Sequence, residues 1–212
     1  MKRMFSEVEM CRDVAIPAKQ LKKGHSPPHQ QILTRLLQDL LHEKACREHG
    51  FYLAITALKS IGNINSTTDD DNPQADDVLT FPVSFTCRTF LPARGNIMVG
   101  TVMKVLFNGL NGGAAPAVLI SSGPLRYAYL SYLKMPDYHF VPPNSEEEEE
   151  PCFQKDDLTK IAVGVVVRFV VLGRRFKVSP EKRRTDVYVL ASVEGDDTLG
   201  PVSLTGCDRP YM

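Results

Sequence analysis

A chain of 212 residues with 43% hydrophobic and 24% charged side chains has the make-up of a folded globular protein, long enough for one large domain or two small ones. Its 25 basic and 25 acidic residues cancel, so no global charge draws it to nucleic acid or to an acidic membrane, and any such affinity must come from a local patch. Five widely spread cysteines without a Cys-x-x-Cys pair argue against a zinc ribbon and against a disulfide-dense secreted scaffold, and fit a reducing compartment.

The opening Met-Lys-Arg-Met-Phe is basic, but Ser6 and Glu7 interrupt it before an apolar signal core develops. The most apolar stretch, 161–173, contains Arg168 and is shorter than the roughly 20 residues a membrane span needs. The expectation is a soluble intracellular protein with no membrane contact.

A first strand is predicted over 4–16, where Met4, Val8 and Met10 alternate with Glu7, Glu9 and Cys11. A basic connection over 17–24 leads to a helix that starts at Ser26, a suitable N-cap, with Pro27 at the first helical position. Ile32, Leu33, Leu36, Leu37, Leu40 and Leu41 form its apolar stripe. Lys44 and Arg47 suit the negative end of its dipole, and Gly50 is the expected residue just past its end. A mostly apolar strand over 51–61, a polar loop over 62–77 and a long strand over 78–91 follow, the last with Phe81, Val83, Phe85 and Cys87 on one face. The first part is thus a helix laid on a small antiparallel sheet with a long hairpin loop, and Pro92-Ala93-Arg94-Gly95 marks a boundary.

Beyond Gly95 the pattern is all-β. Strands are predicted over 96–107, with Ile97, Val99, Met103 and Val105 on one side, and over 115–122, 126–133, 159–172 and 185–194. A Gly/Asn loop covers 108–114, and an irregular excursion with five consecutive glutamates covers 136–153. Five strands with a long excursion before the fourth fit a small Greek-key barrel of the OB type.

Catalytic signals are absent. His25 and His29 have helical metal-ligand spacing, but Ser26-Pro27-Pro28 lies between them and no glutamate follows His25, so they read as surface and helix-end histidines. Asp69, Asp70 and Asp71 offer hard oxygen ligands without the alternation and glycine of a calcium loop, and read as a solvated acidic loop. Gly109, Gly112 and Gly113 lack the Gly-Lys-Ser/Thr of a phosphate loop, and no nucleophile elbow or activated cysteine occurs. No catalytic residue, metal or cofactor is expected. The positive signal is a basic cluster over 168–184, where Arg168, Arg174, Arg175, Lys177, Lys182, Arg183 and Arg184 face one acid, Glu181. Tyr127, Tyr129 and Tyr132 crowd a neighbouring strand. Cations along a phosphate backbone with aromatic faces for stacking make a single-strand binding surface. A solvated hairpin with tyrosines packed at a barrel rim explains the same residues, and both readings stand at this point.

Several segments together resemble the seventh subunit of eukaryotic multisubunit RNA polymerases. They are His49-Gly-Phe-Tyr-Leu-Ala-Ile-Thr56 with Ser60-Ile61-Gly62, Phe81-Pro82-Val83, Phe90 with the boundary motif to Gly95, and Val193-Glu194-Gly195 with Leu199-Gly200. The stretch Tyr129-Leu-Ser-Tyr-Leu-Lys-Met-Pro-Asp-Tyr138 looks closest to the version in plant RNA polymerases IV and V, which work in small-RNA-directed DNA methylation. The resemblance covers nearly the whole chain. It implies an α+β protein with an RNP-like tip domain, 1–92, and an S1-like OB barrel, 93–212. It also implies a non-catalytic stalk subunit in the nucleus, partnered by a fourth-subunit homologue, by the largest subunits of the polymerase core and, weakly, by single-stranded RNA.

Members of that family dock on the core through the tip domain and its hairpin loop, which makes Gly62, Asn63, Asp69, Asp70 and Asp71 docking candidates here; the loop looks longer and more acidic than usual. S1-like barrels carry an aromatic Gly-Phe-Phe or Gly-Val-Phe element on the second strand, whereas this chain has Asn111-Gly-Gly-Ala-Ala-Pro-Ala-Val118 there. Phe107, Tyr127 and Tyr129 are left to substitute. With Lys104, Arg126, Arg168, Arg174, Arg175 and Lys177 they are the RNA candidates, and the expected affinity is modest and strongly salt-sensitive. The rival expectation is a free-standing OB/S1-type RNA-binding protein of RNA processing or translation.

Overall fold

The computed structural model describes residues 3–17, 29–63, 78–107, 115–143 and 150–202. Those described residues are mostly β-sheet with one α-helix, and the chain divides into two compact units. One holds Phe5–Leu91 together with Val178–Asp186; the other holds Met1–Met4, Pro92–Lys177 and Val187–Met212.

The first unit contains β1 (Phe5–Pro17), α1 (His29–Glu43), β2 (Ala45–Cys46), β3 (Gly50–Ile61) and β4 (Val78–Phe90). They build an antiparallel sheet in the order β1-β4-β3-β2. β4 lies between β1 and β3, and the period of two in its sequence gives it one buried face. Leu79, Phe81, Val83, Phe85 and Cys87 are all buried, while the residues between them lie on the other face. They meet Val14 and Ile16 of β1 and Ile32, Leu36 and Leu40 of α1 in one core. Each such buried aliphatic or aromatic side chain contributes about 1.5–3 kcal/mol through the apolar surface it removes from water.

The apolar stripe of α1 is only half used. Leu37 is 40% and Leu41 is 73% exposed. The helix also stops earlier than the glycine at position 50 suggested. Lys44 takes a left-handed conformation (φ 66°) and its N–H reaches back to the carbonyl of Leu40 at 2.9 Å, so the C-cap geometry belongs to a lysine. The next residues form a tight β2–β3 connection in which Gly50, at φ 78°, serves a strand turn. The expected N-cap, Ser26, and Pro27 lie outside the described residues, as does most of the 62–77 loop.

Arg12 of β1 ties the sheet to the helix end. Its guanidinium donates to both carboxylate oxygens of Glu43, at 3.0 and 3.3 Å, and to the Tyr52 hydroxyl at 2.7 Å. Burial raises the Tyr52 phenol well above its ordinary value, so the hydroxyl stays neutral and available to this contact. β3 carries three register shifts against β4, and at the middle one the Thr56 hydroxyl donates to the Thr86 carbonyl at 3.3 Å.

The second unit contains β5 (Ile97–Leu106), β6 (Ala117–Ser122), β7 (Leu125–Ser131), a short 3-10 turn (Tyr132–Lys134), β8 (His139–Val141), β9 (Cys152–Gln154), β10 (Lys160–Ile161), most of β11 (Val166–Ser179) and of β12 (Arg184–Ser192), whose facing ends beyond Lys177 and before Val187 count with the first unit, and β13 (Gly200–Pro201). β5, β6 and β7 form a meander, β5 pairs with β11, and β12 pairs with both β11 and β7. The pairing of β12 with β7 is parallel, and it closes the five strands into a ring. Val102, Ile120, Leu130, Phe169 and Val189 fill its interior.

Two expectations change here. Met98 and Val102 are buried while Ile97, Val99 and Met103 face outward, and a register shift between Val102 and Lys104 turns Val105 inward and so parts it from those three. The excursion after β7 is not irregular throughout, because β8, β9 and β10 make a small sheet whose Phe153 is fully buried.

Candidate nucleic-acid interface

The outer face of β7 and its neighbours carries the tyrosines picked out by sequence. Cross-strand register sets Tyr129 beside Leu119 of β6 and Leu190 of β12, and sets Leu119 beside Lys104 of β5. Lys104, Leu119, Tyr129 and Leu190 therefore form one row across four strands, and Tyr129 and Leu190 are about 40% exposed. The same register places Tyr127 opposite Tyr188, and their rings stack with centroids 4.9 Å apart and planes within 12°. Arg126 is exposed next to Tyr127.

Tyr188 also lines a cavity of about 520 Å³ with Arg175, Phe176 and Lys177 from β11. Among the described residues no acidic side chain contributes to that lining. Arg175 and Lys177 are exposed, and no ion pair involves them among the described residues. Their cationic neighbours are engaged elsewhere. Arg174 donates to the carbonyl of Pro92 at 2.6 Å and leans over the Phe176 ring at 5.9 Å. Arg184 holds the Asp186 carboxylate at 2.7 and 3.0 Å. Arg168 sits opposite Val99 and Gly200, near Asp196. Hydrogen bonds from Thr198 hold the Asp196 carboxyl below its ordinary range, and the Arg168 charge adds to that effect.

Of the sequence candidates, Tyr127, Arg175 and Lys177 thus gather around Tyr188, and Lys104 and Tyr129 share the adjoining row. Phe107 lies apart from them, tilted against Phe140 at 5.7 Å, which in turn meets the buried Phe153 at 5.5 Å. Tyr188, Phe176 and Leu190 were not singled out by sequence. Tyr188 sits between the core valines 187 and 189, where a strand reading treats it as one more wall residue, and Phe176 falls after the predicted end of its strand.

In the first unit, the N–H of Gly62 donates to the Pro82 carbonyl at 2.8 Å and Asn63 is exposed; Asp69, Asp70 and Asp71 lie outside the described residues. Leu37, Leu40 and Leu41 of α1 line an apolar groove with Leu53 and Ile55 of β3. Among the described residues no group of three or more His, Cys, Asp or Glu is placed to hold a metal ion, and no helix is long and apolar enough to cross a membrane.

No protein-family model matches the chain. Individual proteins do. A DNA-directed RNA polymerase subunit 7-like protein of Arabidopsis thaliana is 67% identical over 210 residues, covering 99% of this chain and 100% of the relative. Subunit 7 of RNA polymerase V from the same plant is 36% identical, over 94% of this chain and 99% of its own. Subunit 7 of RNA polymerase IV is 34% identical, over 93% and 99%. The RNA polymerase II counterparts stand further away, at 25%. With identity of this level running end to end, the chain belongs to the subunit 7 family of DNA-directed RNA polymerases.

Proposed function

We propose that this chain is a non-catalytic stalk subunit of a plant RNA polymerase of the IV/V kind, acting in the nucleus in small-RNA-directed DNA methylation. The observation that carries this reading is the 67% identity over 99% of the chain to a subunit 7-like protein, with the polymerase V and IV subunits ahead of their polymerase II counterpart. Bond-making in transcription is left to the largest subunits.

The two units fit separate tasks. We read 1–92 as an RNP-like tip domain that docks on the polymerase core, with the loop from Gly62 through Asp69, Asp70 and Asp71 as a contact. Leu37, Leu41, Leu53 and Leu58 leave apolar surface exposed on α1 and β3, which supports a protein partner. We read 93–212 as an S1-like OB barrel. The closed order β5-β6-β7-β12-β11, the parallel β7–β12 pair and the excursion before β11 support that reading. Its outer tyrosines and the exposed Arg175 and Lys177 support weak contact with emerging single-stranded RNA.

The partner expected on the stalk is a fourth-subunit homologue. Co-expressed with that protein, the chain is expected to elute from size exclusion as a one-to-one heterodimer, and to self-associate when made alone because the apolar groove is then uncovered. A chain that is monodisperse alone and passes through the column separately from the fourth subunit would sink the polymerase reading in favour of a free-standing RNA-binding protein.

A further inference from the structure

We infer that Tyr188, Phe176, Arg175 and Lys177 form a one-nucleotide slot for single-stranded RNA, with the base against the aromatic rings and the phosphate between the two cations. This rests on the reading that the second unit meets RNA, and names where. Stacking surface is missing from the usual place, because the outward residues of β6 are Leu119 and Ser121. The parallel register of β7 and β12 supplies it elsewhere. Tyr127 already covers one side of Tyr188 at 4.9 Å, which fixes the ring at little further entropic cost and leaves the rest of Tyr188 turned to the cavity.

The cavity's chemistry matches a nucleotide at each end. Two aromatic side chains give faces that any base can stack on, without reading its edge. Arg175 and Lys177 are the cations of the basic cluster that combine exposure, a place on the cavity wall and freedom from carboxylates among the described residues. Arg174 and Arg184 are already committed to Pro92 and Asp186. A volume of about 520 Å³ lies within the roughly 300–1,000 Å³ of small-ligand sites. An acidic protein segment would use the cations, but two flat rings give it no added purchase.

The absence of tryptophan makes tyrosine emission a direct reporter, since the chain has seven tyrosines and nothing to mask them. The test titrates the full chain at low salt with a uridine oligonucleotide and, in parallel, with inorganic polyphosphate. Wild type is expected to bind the oligonucleotide with quenching of tyrosine emission. Tyr188→Leu should weaken RNA binding roughly ten-fold, remove part of the quench and leave polyphosphate affinity unchanged. Tyr188→Phe should bind as wild type. The exposed pair Arg175→Gln and Lys177→Gln should weaken both ligands and lower the salt slope by about 1.4, the value for two lost phosphate contacts on a single strand. Wild-type RNA affinity in Tyr188→Leu and in the double glutamine variant overturns the slot while leaving RNA contact by the unit intact. A wild-type chain that binds no RNA at low salt overturns the RNA reading and the slot together. Equal loss of RNA and polyphosphate in Tyr188→Leu also overturns the slot, because it marks the ring as structural.

Discussion

Phe85→Ala is expected to lower the stability of the first unit by about 3–5 kcal/mol, the usual cost of truncating a fully buried phenylalanine. Phe85 is 0% exposed at the middle of β4, the strand that pairs on both sides. Its register partners are Met10 on β1 and Leu58 on β3, and Ile32, Leu36 and Leu40 of α1 belong to the same core. Removing the ring therefore opens a cavity walled by two strands and the helix, where no single element can move in to fill it without giving up its pairing. Set against a domain stability of about 5–15 kcal/mol, the loss is a large fraction of the whole. Urea unfolding followed by far-UV circular dichroism checks it, with the transition expected about 1–5 M lower at an ordinary urea slope. An unmoved midpoint would mean that this core is not the one that holds the sheet and helix together.

Gly50→Val should destabilise the same unit by about 2–5 kcal/mol, from two separable causes. An L-residue in the left-handed conformation that Gly50 adopts (φ 78°) costs roughly 1–2 kcal/mol. The added side chain would also press on the Phe90 carbonyl oxygen and the Leu91 Cα, both backbone atoms that cannot rotate away, at about 1–3 kcal/mol for an overpacked site. Gly95, in the second unit, gives the conformational cost for comparison, read on that unit's own transition. Its φ is 82° and nothing lies within 4 Å of a Cβ placed there, so Gly95→Val should show the conformational part alone. Thermal unfolding of the two variants side by side measures the difference; equal losses would show that the close approach at Gly50 costs nothing.

These effects fall on elements whose existence the sequence announced. The helix stripe and the alternation of Phe81, Val83, Phe85 and Cys87 are local periodicities, and local periodicity survives into the fold unless a backbone irregularity intervenes. Where one does, the reading fails. The register shift near Met103 parts Val105 from Ile97, Val99 and Met103, with which it was expected to share a side, and Lys44 takes the left-handed cap that a glycine normally fills, which moves the helix end six residues from where Gly50 suggested. The strands β8 and β10 are two or three residues long, too short for any period to show.

The candidate interface was legible only in part, for a related reason. Charge clustering and the tyrosines of β7 are visible along the chain, but their grouping depends on the parallel β7–β12 pairing between residues about sixty apart in sequence. That pairing sets Tyr188 against Tyr127, and Tyr188 shares its cavity with Phe176, Arg175 and Lys177 of β11. Arg174 and Arg184 are instead engaged by the Pro92 carbonyl and the Asp186 carboxylate. Seven cations in a row of sequence thus reduce to two that face an aromatic cavity.

The most direct measurement of the central claim is affinity purification of the tagged full chain from plant nuclei with mass-spectrometric identification of its companions. Membership in a polymerase of the IV/V kind predicts the largest subunits of such an enzyme together with a fourth-subunit homologue, in near-equal amounts and resistant to a moderate salt wash. Recovery of the chain alone, or with ribosomal and RNA-processing factors and no polymerase subunit, would contradict it.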